Sequence, residues 1–120
     1  MKLDLKSRMK LTVFVGGDER LAHRSLHDAV ISVLRENGIA GATVTKGVMS
    51  YGFNRRVHSD LNEITMENLP LIIEAVDESE KIESVATRIA EMLGEHGLVE
   101  IHSTAIVESA SPMKEGSASL

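Results

Sequence analysis

Apolar residues along the chain recur with a spacing that switches between two and about 3.6, the periods of a strand and a helix. Leu11 to Val15, LTVFV, is β-branched and aromatic and runs into Gly16, Gly17 and Asp18, which predicts a strand followed by a breaker. SLHDAVISVLRENG sets Leu26, Val30, Val33 and Leu34 at helical spacing, with Ser25 and Asp28 as a capping box and Gly38 as the stop. In GATVTKGVM, Ala42, Val44 and Val48 alternate with Thr43, Thr45 and Gly47, so a second strand is expected. From Gly52 to Asn68 the pattern is lost, leaving a polar connection of a length that in compact domains usually carries function or motion. LPLIIEAV restores a strand over Leu69 to Val76, with Pro70 near its beginning, where a missing N–H does least damage. DESEKIESVATRIAEMLGEHG then aligns Ile82, Val85, Ile89, Met92 and Leu93 on one stripe of a second helix, closed by Gly94 or Gly97. LVEIHSTAIVE reads as a fourth strand.

Strand, helix, strand, strand, helix, strand is the order of an α+β, ferredoxin-like βαββαβ plait, an antiparallel sheet with two helices on one face. The other face is then bare. In LPLIIEAV, Leu71, Ile73 and Ala75 point one way and Ile72 and Val76 the other, so exposing either set leaves an apolar patch that monomers rarely tolerate. Oligomerisation through the open face is the reading this favours; the alternative is cover by the long loop or the tail. Residues 1–8 read as an N-terminal extension, 9–108 as the folded domain, and 109–120, rich in Ser, Ala, Gly and Pro, as a frayed tail.

The totals narrow the function classes. At 120 residues one domain is expected. Aromatics are 2%, so the core is built from aliphatic residues and Met. No cysteine is present, which removes disulfides, thiolate metal sites and a cysteine nucleophile and fits a cytoplasmic setting. No run approaches the roughly 20 apolar residues of a membrane span, and MKLDLKSRMK lacks the apolar stretch of a signal peptide. A net charge of −5 opposes nucleic-acid binding, so any anion site has to be local.

One local site stands out. KGVMSYGFNRRVHSD, Lys46 to Asp60, is a cationic island in an acidic chain. Arg55 and Arg56 supply forked donors suited to phosphate, Gly47 and Gly52 allow a ligand close to backbone N–H groups, and Tyr51 could stack on a base or sugar. The plainer reading is a solvated loop whose arginines pair with Asp60, Glu63 or Glu67. His23 and His27 have metal-ligand spacing, but a helix capped at Ser25 leaves His23 outside it, so no metal is expected. His58 is a polar loop residue or a secondary phosphate contact. There is no G-x-S-x-G, no phosphate-loop motif and no acid–base pair, which argues against an enzyme.

IAGATVTKGVMSYGFNRRVHSD, followed by LPLIIEAVDESEKIE, resembles the PII-like signalling proteins of the domain of unknown function 190 branch, over residues 9 to 107. That branch carries a G-A-T-V-x-[KR]-G-x-x-G-[FY]-G track, a basic His-containing loop, and an L-P-[IV]-x-[IV]-E-x-V-D run. Ser50 departs from it, standing where the glycine before the aromatic is usual, and no Lys or Arg follows in or after the fourth strand until Lys114. The resemblance implies a homotrimer of ferredoxin-like subunits with sheets facing inward. It implies adenine nucleotide (AMP, ADP or ATP) in the clefts between subunits, no required cofactor, and a protein partner contacted through the loop, a membrane transporter or channel being the natural class. The matching positions for the nucleotide are Gly47, Tyr51, Gly52, Arg55, Arg56 and His58. A ligand-independent structural or adaptor trimer is the alternative, with a small-substrate enzyme behind it.

Overall fold

The computed structural model describes residues 3–47 and 69–110. β1 (Leu3–Gly16) leads into a small hairpin of β2 (Arg20–Leu21) and β3 (Arg24–Ser25), and then α1 (Leu26–Glu36). β4 (Thr43–Lys46), β5 (Pro70–Asp77), α2 (Ser79–Leu93), a 3-10 turn (Gly94–His96) and β6 (Gly97–Ala110) follow. The main sheet has the order β4-β5-β1-β6 with every neighbour antiparallel. This is the expected ferredoxin-like plait, with the β2–β3 hairpin added ahead of α1.

Alternation along the strands decides which face is buried. Leu11, Val13 and Val15 of β1 and Leu71, Ile73 and Ala75 of β5 form one core with Leu26, Val30, Val33 and Leu34 of α1 and Ile82, Val85, Ile89 and Leu93 of α2. Each of the Val, Leu and Ile side chains contributes about 1.5–3 kcal/mol by leaving water, so these stripes hold the helices to the sheet. Met92 is only partly buried against them. Phe14, Ile72 and Val76, on the opposite face, are half-buried, and Leu98 beside Phe14 is exposed. None of α1 or α2 covers this second face.

Both helices end and begin where capping chemistry places them. The Ser25 hydroxyl accepts the Asp28 N–H at 3.4 Å. At the other end of α1, Gly38 takes a φ of +74°, its N–H donates to the Arg35 carbonyl, and Ile39 N–H donates to the Leu34 carbonyl, a Schellman closure. Ile39 is thereby turned into the core. α2 stops at Leu93 with Gly94 as its cap.

The strands run further than the sequence pattern predicts. β1 starts at Leu3, so the segment expected as an N-terminal extension is paired strand, and β6 continues through Ser109 and Ala110, expected in the tail. Cross-strand contacts join these ends: Lys6 Nζ lies 2.9 Å from Glu108 Oε2, and the Ser109 hydroxyl donates to Asp4 Oδ2 at 2.8 Å. Residues 111–120, and the connection from 48 to 68, lie outside the described residues.

Candidate functional site

The Schellman turn sends the chain along the margin of the sheet as Ala40-Gly41-Ala42 before β4 begins. β4 pairs with β5 only from Thr43, opposite Glu74, to Lys46, opposite Leu71. Beyond Thr43, the outer edge of Ala75–Asp77 therefore has no strand beside it. A cavity of about 510 Å³ occupies that place, lined by the small residues Ala40, Gly41 and Ala42, by Thr43, and by Lys10, Glu74, Ala75 and Val76. Across its sheet side Lys10 Nζ sits 3.0 Å from Glu74 Oε2, and Thr12, strand neighbour of Glu74, is only 5% exposed. The volume is within the range of small-molecule sites.

Asp77 anchors the Ala40 wall of the cavity. Its Oδ2 accepts the Ala40 N–H at 3.1 Å, its Oδ1 accepts the Glu78 N–H at 2.7 Å, and Lys81 Nζ stands 3.9 Å from Oδ1 while donating to the Gly38 carbonyl. Burial pushes the Asp77 carboxyl up, but the two backbone N–H donors, with the fields of Lys81 and Arg8, outweigh it and hold the group below its ordinary value. A depressed carboxyl stabilises the fold above its unfolded pKa, and that contribution is lost as pH falls through the folded one. Asp77→Asn is expected to cost about 1.5–3 kcal/mol at pH 7, the range for hydrogen bonds to a charged group. The gap from the native protein is expected to narrow once pH falls below about 4, where an unperturbed Asp carboxyl protonates, and to close as pH falls through the lowered folded pKa. Urea unfolding at the two pH values checks both statements; an equal gap at each would contradict them.

Of the residues singled out from sequence, Gly47 is described. Its N–H donates to the Pro70 carbonyl at 2.7 Å, and a Cβ at this position would stand 2.9 Å from Pro70 Cγ. Glycine is thus required by the crossing of the two ends of the long connection. Gly47 lies about 13 Å from Thr43 along β4, at the strand's rise of roughly 3.3 Å per residue, so it is at the opposite end of the strand from the cavity. Tyr51, Gly52, Arg55, Arg56 and His58 lie outside the described residues. His23 falls in the turn between β2 and β3, apart from α1, and no three His, Asp or Glu side chains converge as a metal site among the described residues.

The cavity residues Lys10, Gly41, Thr43, Glu74 and Val76 did not stand out in the sequence. The signal for them was the small pair Gly41-Ala42 at a strand start and a glutamate at an open-face position in an otherwise apolar strand.

Comparison with known proteins gives this arrangement its family. The model DUF190, "Uncharacterized ACR, COG1993", matches residues 8–106. The chain belongs to the DUF190 family. A UPF0166 protein of Methanocaldococcus jannaschii is 31% identical over 89 residues, 74% of this chain and 82% of the relative. A UPF0166 protein of Aquifex aeolicus is 26% identical over 98 residues, 81% of this chain and 90% of the relative. Among solved structures, CPII from Thiomonas intermedia K12, a nitrogen regulatory PII-like protein bound to ADP, AMP and bicarbonate, superposes with a TM-score of 0.70. It is 17% identical, over 88% of this chain and 93% of CPII. Its complex with ADP and bicarbonate gives 0.69 at 18% identity, over 88% and 94%. This DUF190 chain therefore has the PII-like fold. Among the described residues, no helix is long and apolar enough to cross a membrane.

Proposed function

We propose that this chain is a PII-like regulatory protein of the cytoplasm that binds an adenine nucleotide in clefts between the subunits of a homotrimer. The bound state passes to a partner protein through residues 48–68, without turnover. The observation that carries the reading is the uncovered sheet face bearing Phe14, Ile72, Val76 and Leu98, with a cavity at its margin, next to an edge strand, β4, that is exposed throughout. A second copy docked on the open face turns that marginal cavity into a closed cleft. The free outer edge of Ala75–Asp77 and the Thr43 hydroxyl offer the paired donors and acceptors that a nucleobase reads, and small residues at 40–42 leave room for a flat ring. Arg55 and Arg56 then take the phosphates, with Gly47, Tyr51, Gly52 and His58 at the same loop.

CPII, on the same fold, binds ADP and AMP, which supports the ligand class. Phosphates held by Arg55 and Arg56 shift the 48–68 segment between two states, and differential affinity for those states is all that signalling to a partner requires. On the family resemblance the partner class is a membrane transporter or channel. Titration calorimetry with AMP, ADP, ATP and cyclic AMP tests the reading. Saturable binding of at least one, at one nucleotide per protomer, is expected; silence across the panel would remove it.

A further inference from the structure

β5 pairs with β1 only over Met9–Gly16, whereas β6 pairs with β1 back to Leu3. Leu3–Arg8 and Thr104–Ala110 thus form a two-stranded arm, about 20 Å long at 3.3 Å per residue, that projects past the end of β5. An isolated two-stranded ribbon is marginal in water, and this one exposes apolar side chains on both sides, Ile106 among charged neighbours on one of them. Leu5 and Val107, opposite one another, are 60% and 58% exposed, and Ile106 on the other side is exposed as well. The arm needs cover that the described part of the protomer does not provide.

Charge on the arm identifies the cover. The face holding Lys6, Arg8 and Ile106 is continuous with the open face of the sheet. Lys6 is paired with Glu108 and Lys10 with Glu74, and Asp4 accepts from Ser109. Arg8 donates only to the Ser7 carbonyl, its field reaching Asp77 and Glu108 without an ion pair to either, and Glu100 makes no ion pair, so among the described residues this face keeps one guanidinium and one carboxylate outside any salt bridge. Within a protomer the two sit four residues apart along the β1–β6 ladder, about 13 Å, too far to pair. A head-to-tail contact between copies brings such separated complements together.

We propose that the β1–β6 arm clasps a second copy of this chain, lying on that copy's open sheet face with Arg8 against its Glu100. The proposal rests on the assembly put forward above and adds the element and the ion pair that hold it. The test measures mass by light scattering across a dilution series, with circular dichroism to check the fold. Arg8→Glu and Glu100→Arg are each expected to raise the concentration of half-dissociation at least tenfold, and Arg8→Glu with Glu100→Arg together to bring it back. Leu5→Ser with Val107→Ser is expected to weaken assembly without unfolding the protomer. An assembled native protein indifferent to all four variants, or single variants not rescued by the double, would overturn the clasp and leave the trimer standing. Arm variants that lower thermal stability at unchanged mass would put the cover inside the protomer and overturn it too. A monomeric native protein would sink the trimer itself.

Discussion

Ile73→Asp is expected to leave no folded protein, whereas Ile72→Asp, one residue earlier on the same strand, is expected to give a folded protomer that no longer assembles. Ile73 is wholly buried at the centre of the core, opposite Val13 and Val44. An unpaired carboxylate there costs several kcal/mol on top of the lost packing, a loss comparable with the 5–15 kcal/mol that holds an ordinary domain together. Ile72 faces the other way, half-buried between Phe14 and Thr45 on the bare face. A carboxylate at that position stays hydrated in the free protomer and is desolvated only when a second copy covers it. Circular dichroism with light scattering separates the two outcomes. Equal ruin by both variants would contradict the assignment of faces, and an assembled Ile72→Asp protein would remove the open face from the interface.

Gly41→Leu and the double variant Arg55→Ala with Arg56→Ala are each expected to abolish nucleotide binding in practice while leaving the fold intact. No atom lies within 4 Å of a Cβ built on Gly41, so a leucine is accommodated without strain, and at this lining position it is expected to narrow the cavity. Replacing glycine also costs nothing in backbone freedom at a position without positive φ. Loss of two charge-assisted donors, at about 1.5–3 kcal/mol each, corresponds to a fall in affinity of about 100-fold or more. Calorimetry checks both; native affinity in Gly41→Leu would move the site away from the cavity, and native affinity in the arginine variant would move it away from the loop.

The stripes that make the core were legible because burial enforces periodicity: 11, 13 and 15, then 71, 73 and 75, then 82, 85, 89 and 93 repeat as their elements require. The cap at Ser25 and the stop at Gly38 were legible because few side chains satisfy a helix end. The arm was harder to see. Leu3, Leu5 and Met9 alternate with Asp4, Lys6, Arg8 and Lys10, the period of a strand, yet the charges made the segment read as an extension. The β2–β3 hairpin is too short for any period, resting on one turn in which Ala22 takes a φ of +58° and on Arg20 donating to the His23 carbonyl. The cavity was invisible for a different reason. It exists because β4 pairs with β5 only up to Glu74, leaving Ala75, Val76 and Asp77 without a strand beside them, a property of register and not of residue type. Gly47 was legible as a special glycine, but the contact with Pro70 that demands it joins residues far apart in sequence.

The proposed nucleotide site lies at the seam between copies, and because Gly47 stands at the far end of β4 from the cavity, we propose that the cavity of one protomer is completed by the loop of another. Mixing the two binding-dead proteins tests this central claim most directly. Gly41→Leu and Arg55→Ala/Arg56→Ala chains, co-expressed with different tags and purified as mixed assemblies, are titrated with the nucleotide that the native protein binds. In a mixed trimer one seam joins an intact cavity to an intact loop, so native affinity is expected to return at about one site per three chains. Mixed assemblies that stay silent would contradict the shared cleft.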